Sequence, residues 1–118
     1  MLDNTLTFDY DGNPVNLKRI NQDDFSSVYY GAVGNDKVTM TIKHTIPPRG
    51  QSSESHLVRF DVELYDADGV YTRTASAWTV IKTFDGVQDD SETTKATGGL
   101  LDFLGTGTYL AQIIGRES

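Results

Sequence analysis

Two histidines, three acidic clusters, a serine-rich stretch and a paired-glycine segment are the residues of this chain with the types and spacing that chemistry requires. His44 and His56 would suit zinc if either had a second histidine or a glutamate at ligand spacing, since the metal needs side chains converging on one point. Neither has, so both read as strand-end or surface residues. Asp9-x-Asp11-Gly12 and Asp66-x-Asp68-Gly69 open like calcium loops, but the twelfth residue counted from Asp66 is Ala77, where such a loop needs a bidentate glutamate. Both read as turns. Gly105-x-Gly107 begins like a phosphate-binding loop, yet Leu110 stands at the third glycine position and no parallel βαβ pattern surrounds it. The serines of QSSES (51–55) have no local Asp–His arrangement to activate them, and Asp89, Asp90 and Glu92 suit the start of a helix better than an acid–base pair. With no cysteine, thiolate chemistry and disulfides are absent. An enzyme is not expected, nor a cofactor, nor a metal.

KVTMTIKHT (37–45) carries a different signal. Successive strand residues point to opposite faces, so Val38, Met40 and Ile42 share one side and Lys37, Thr39, Thr41 and Lys43 the other. The polar side holds no acid, in a chain of formal net charge −7. Such a face suits phosphate contact, although lysine and threonine also suit any solvated strand, and the pattern alone leaves both readings open. Overall acidity argues against general affinity for nucleic acid but does not fix where the acids lie.

The elements that must position this face follow from periodicity. TLTFDY (5–10) and VNLKRI (15–20) alternate on either side of Asp11-Gly12 and predict a hairpin whose turn Asn13-Pro14 lengthens. SSVYYGAV (26–33) is rich in β-formers, and Gly34-Asn35-Asp36 turns the chain into KVTMTIKHT. IPPRGQSSES (46–55) reads as a loop, HLVRFDVELY (56–65) as a long strand, and Asp66–Gly69 as a turn into VYTRTASAWTVIKTF (70–84). In that last run Trp78, Val80 and Phe84 share one face, and Thr79, Ile81 and Thr83 the other. The period then changes: Asp89-x-x-Glu92 resembles a capping box, Ala96, Leu100, Phe103 and Leu104 recur at helical spacing, and a helix is expected over 90–104. Gly98-Gly99 weakens it by about 2 kcal/mol relative to alanines. Leu110, Ile113 and Ile114 predict a second helix over 107–115. Strands first and helices last give an α+β fold with an antiparallel sheet of about five strands, and 118 residues give a single domain, 1–118. Val38, Met40, Ile42, Val58, Phe60, Val62 and Val80 supply an apolar face to be covered, while the face bearing Lys37, Thr39, Thr41, Lys43 and Arg59 stays open. The thin apolar stripe of the helices suggests that they pack on a partner's sheet in an obligate dimer. No signal peptide opens the chain and no apolar run is long enough to cross a bilayer, so no membrane partner is expected.

A short N-terminal hairpin, an antiparallel sheet, a strand with a lone tryptophan and two C-terminal helices, in that order, resemble the coat proteins of the single-stranded RNA bacteriophages, the levivirus family. DKVTMTIKHT (36–45), HLVRFDVEL (56–64) and SAWTVIKTFDGVQDDSETTKATGGLLDFLG (76–105) carry the resemblance and are similar to the family's central strands, final strand and first helix. The resemblance implies an intertwined homodimer whose two sheets join edge to edge, with each subunit's helices laid across the partner. It further implies an icosahedral shell, assembled in a bacterial host cytoplasm, around genomic single-stranded RNA. The inward sheet face would bind an RNA hairpin, which in many members also represses translation. On that face the resemblance places Lys37, Thr39, Thr41 and Lys43, with Arg59, Ile81 and Thr83 on neighbouring strands. Ile81 stands where the best-known members stack an aromatic ring on a base. A different class remains as the alternative: an acidic β-rich domain that binds calcium or carbohydrate through its DxDG turns.

Overall fold

Leu6, Phe8 and Tyr10 alternate with polar residues along β1 (Thr5–Tyr10), as Val15 and Leu17 do along β2 (Asn13–Gln22). In the computed structural model of the protein, which describes residues 2–46, 53–84 and 91–116, the two strands pair antiparallel across Asp11 and Gly12. Both turn residues have positive φ, 50° and 80°, the conformation that lets a two-residue turn follow the twist of its strands. Asn13 pairs with Tyr10 and Pro14 with Asp9, so these residues begin β2 instead of lengthening the turn.

β3 (Ser26–Val33), β4 (Asp36–Thr45), β5 (Ser53–Tyr65) and β6 (Tyr71–Phe84) continue the same antiparallel sheet, with its six strands in sequence order. Patterning suggests a hairpin beside about five strands; the β2–β3 ladder instead makes the hairpin part of the sheet. The β2–β3 register slips between Arg19 and Asn21, and Ile20, which alternates to the side of Lys18, is exposed. β5 begins at Ser53, three residues before the alternation of HLVRFDVELY becomes visible, because Ser53–Ser55 pair with Lys82–Phe84 of β6.

The core lies on one face. Val15, Leu17, Tyr29, Val38, Ile42 and Val62 are buried, and Leu6, Phe8, Tyr10, Met40, Val58 and Phe60 pack against them. Phe8 and Tyr10 of β1 bring their rings to 5.8 and 5.9 Å from the ring of Phe60 on β5. Four strand spacings separate β1 from β5, about 19 Å in a flat sheet, so the hairpin must curl back over this face. Arg19 fastens that curl. Its guanidinium donates to the Tyr29 hydroxyl (2.9 Å), Asn4 Oδ1 (3.0 Å), Gln22 Oε1 (2.8 Å) and the carbonyls of Leu2 and Asp3, while Tyr29 Oη donates to the Asp3 carbonyl at 2.8 Å.

α1 (Ser91–Gly105) and α2 (Gly107–Ile114) follow, joined at Thr106, whose hydroxyl donates to the Asp102 carbonyl. Phe103 and Tyr109 stack across the joint at 4.8 Å. The expected capping residue, Asp89, lies outside the described residues, while Glu92 stands in the first turn. α1 meets the sheet along β6, and no residue of either helix is buried.

Gly31 stands at a close approach of β3 to β2. A Cβ there would lie 2.5 Å from the Asn16 carbonyl oxygen and 2.6 Å from Leu17 Cδ2, so backbone would have to move. Gly31→Ala is expected to lower the urea unfolding midpoint by the equivalent of about 1–3 kcal/mol, with an unchanged denaturant slope.

Candidate nucleic-acid interface

The face opposite the core is built by register. Lys37, Thr39, Thr41, Lys43 and Thr45 of β4 stand directly across from Glu63, Asp61, Arg59, Leu57 and Ser55 of β5. Those in turn face Thr74, Ser76, Trp78, Val80 and Lys82 of β6. On the other flank Ser26, Val28, Tyr30 and Ala32 of β3 pair with Lys43, Thr41, Thr39 and Lys37, and Lys18 of β2 pairs with Tyr30. Five of the expected residues, Lys37, Thr39, Thr41, Lys43 and Arg59, therefore share one surface.

Ile81 and Thr83 do not join them. Ile81 pairs with His56, and Thr83 with Glu54, which places both on the core side of the sheet, where they border a recess beneath α1 with Thr97, Gly98 and Leu101. Val80, expected among the apolar residues awaiting cover, lies on the open face instead and is half-exposed. One position of register separates the two readings, and in a strand one position reverses the face. The same shift reveals what sequence reasoning missed: Trp78, 60% exposed, is an aromatic of this face, as Tyr30 and Tyr65 are. The lone tryptophan of an alternating run was the available signal, but an apolar residue is by default assigned to the core.

Trp78 is held by charge. The Arg59 guanidinium carbon lies 5.1 Å from its ring centroid, a cation–π contact, and Arg59 Nε donates to both carboxylate oxygens of Asp61 at 3.1 Å. Ser76 also donates to Asp61. Burial pushes the Asp61 carboxyl up, but the Ser76 and Arg59 hydrogen bonds and the guanidinium charge outweigh it and hold the group below its ordinary value of 3.8. The depressed carboxyl keeps its ion pair at neutral and mildly acidic pH and loses it only as pH falls below that value. At the other end Lys37 Nζ stands 4.9 Å over the Tyr65 ring, and Tyr65 Oη donates to Glu63 at 2.8 Å. Beside Lys43, Asp23 accepts the backbone N–H groups of Phe25 and Ser26, which hold its carboxyl down and commit it to the β2–β3 turn.

By register, Lys18, Lys37, Lys43, Arg59 and Lys82 outnumber Asp9, Asp61 and Glu63 on this face although the chain is acidic, with Asp23 at its margin beside Lys43. Threonine hydroxyls lie between the lysines, and Trp78 offers a flat ring beside Arg59. Such a surface can neutralise phosphates, hydrogen-bond to ribose and bases, and stack a base.

The DxDG segments are turns. Asp66 Oδ1 accepts the N–H groups of Asp68 and Val70, and Asp9 accepts that of Gly12. No group of three or more histidine, cysteine, aspartate or glutamate side chains among the described residues could hold a metal ion. No helix among them is long and apolar enough to cross a membrane.

The phage phiCb5 coat protein family matches residues 3–84 of the chain. Among solved structures, the virus-like particle of Beihai levi-like virus 21 superposes with a TM-score of 0.71 at 12% identity, covering 97% of this chain and 94% of that one. The virus-like particle of bacteriophage AVE019 gives 0.63 at 14% identity, covering 96% and 94%. The bacteriophage GA capsid protein gives 0.64 at 10% identity, covering 97% and 95%. No curated protein sequence matches significantly. With its β-sheet portion matched almost end to end and its fold shared with RNA-phage capsid subunits, the chain belongs to the phage phiCb5 coat protein family, among the coat proteins of the single-stranded RNA phages.

Proposed function

We propose that two copies of this chain, each acting as a single coat domain over 1–118, join along β6 and lay α1 and α2 across each other's sheets. Such dimers then close an icosahedral shell around single-stranded RNA in the host cytoplasm. β6 is the last strand of the sheet, 14 residues long, with no pairing partner on its outer side among the described residues. A long edge of this kind is a template for another strand. Leu100, Leu101, Phe103, Leu110, Ile113 and Ile114 are all exposed in the single chain, so most of the helices' apolar surface is left uncovered. Gly98 and Gly99 have only open space where a side chain would stand, so their cost to the helix has no return within the subunit.

The observation that carries the RNA reading is the gathering of cations and an exposed tryptophan on the face that the hairpin leaves open. Lys18, Lys37, Lys43, Arg59 and Lys82 would release counterions from phosphates, Thr39 and Thr41 would bond to sugar or base edges, and Trp78 would stack an unpaired base of a hairpin loop. Trp78, Val80 and Lys82 take the places first given to Ile81 and Thr83.

Ile113→Glu is expected to convert the dimer into monomer or aggregate in analytical ultracentrifugation, and an unchanged dimer would remove α2 from the interface. Trp78 is the chain's single tryptophan, so its emission reports on this face directly. Addition of a short RNA hairpin is expected to quench it. Trp78→Ala should weaken binding by about 1–3 kcal/mol. Lys43→Glu should flatten the salt dependence of the affinity by about one phosphate contact and lower the RNA content of particles. RNA affinity unchanged in both variants would move the contact to another surface.

A further inference from the structure

His44 and His56 stand directly across β4 and β5 from each other on the core side of the sheet, their Nδ1 atoms 2.9 Å apart. Their ring planes meet at 69°, so the rings are not stacked. On the far side of His56, Nε2 lies 3.0 Å from Thr83 Oγ1 and 3.8 Å from a Glu54 carboxylate oxygen. A carboxylate only accepts, so in the neutral His56 ring Nε2 carries the proton and Nδ1 presents its lone pair. This arrangement prepares an imidazole for a metal: the outer nitrogen donates to oxygen, which fixes tautomer and ring orientation, and the inner one is bare. Without a metal, His44 donates its Nδ1–H into that lone pair. With its proton on Nε2 instead, His44 offers a second bare Nδ1 beside the first.

The separation selects the metal. Two nitrogens 2.9 Å apart, each about 2.0–2.1 Å from a common ion, subtend about 90° there. That is the cis angle of tetragonal coordination, which suits Cu²⁺ and Ni²⁺, and it is narrow for tetrahedral zinc. The strands keep their register and only the rings turn, so that the two lone pairs converge. No third histidine, cysteine, aspartate or glutamate among the described residues joins them, so water takes the remaining positions. There is room for it. His44 lines an open recess of about 640 Å³, with the carboxylates of Asp23 and Asp24 drawing a cation to its rim and Lys43 opposing them. Hard cations such as Ca²⁺ prefer oxygen ligands and gain little from two imidazoles.

We propose that His44 and His56 form a two-imidazole site for a divalent late transition-metal ion, Cu²⁺ above Ni²⁺, held through both Nδ1 atoms and otherwise by water. The bound ion clips β4 to β5 beside the recess under α1 that Thr83 borders. The site lies within one subunit and does not rest on the RNA reading.

Equilibrium dialysis of the chelator-stripped full-length protein against Ni²⁺ at neutral pH tests it. The native protein is expected to retain one ion per chain, and His44→Gln and His56→Gln to bind at least about tenfold more weakly. Equal retention in the native protein and both variants would overturn the site. If the variants fail to fold, the native protein decides, because His44 and His56 are its only histidines. Substoichiometric Cu²⁺ is expected to broaden both imidazole Cε1–H resonances together, while Ca²⁺ leaves them sharp. Broadening of one alone, or of neither, would overturn the shared site.

Discussion

Everything in this subunit depends on the two-residue period of the β4–β5–β6 ladders. A single layer of sheet has two faces and only one apolar set, so the register that sends Val38, Ile42 and Val62 into the core necessarily sends Lys37, Thr41 and Glu63 out. The ladders run without a slip from Lys37↔Glu63 to Thr45↔Ser55, and from Ser53↔Phe84 to Leu64↔Arg73. That continuity is what brings Lys43, Arg59 and Trp78, distant in sequence, onto one plane. The curled hairpin then decides which face is which, since Phe8 and Tyr10 cover the apolar one.

Charge is sorted by the same alternation. The chain is strongly acidic as a whole, yet its open face is cationic, because much of the acid sits in turns where carboxylates have local work. Asp9, Asp23 and Asp66 each accept backbone N–H groups that the turning chain leaves unpaired. Asp61 and Glu63 are acids kept among the bases of the open face: Asp61 orients Arg59 against Trp78, and Glu63 accepts the Tyr65 hydroxyl.

Much of this was legible in the residues alone. The strong alternation in KVTMTIKHT and HLVRFDVELY gave both faces correctly, because each strand has a clear apolar set. β6 was misread at the surface level for a physical reason: Trp78 and Val80 are apolar residues on the open side, while Thr79 and Thr83 are polar residues on the core side, so the usual inside–outside signal is reversed there. The boundaries of α1 were close, since its helical spacing and the glycine at its end are local signals. The histidine pair was invisible because its partners meet only through the β4–β5 register; twelve residues of sequence separation carry no hint that two rings will touch.

The strand order also has a kinetic meaning. In a sheet whose strands lie in sequence order, each new strand docks on the one made just before it, so loop closures are short and little entropy is spent on distant pairings. As the chain emerges during synthesis, β1 to β5 can assemble in turn, each covering the edge its predecessor exposed. β6 arrives last among the strands, and the open edge that invites another copy therefore comes into being only when the rest of the sheet is already in place.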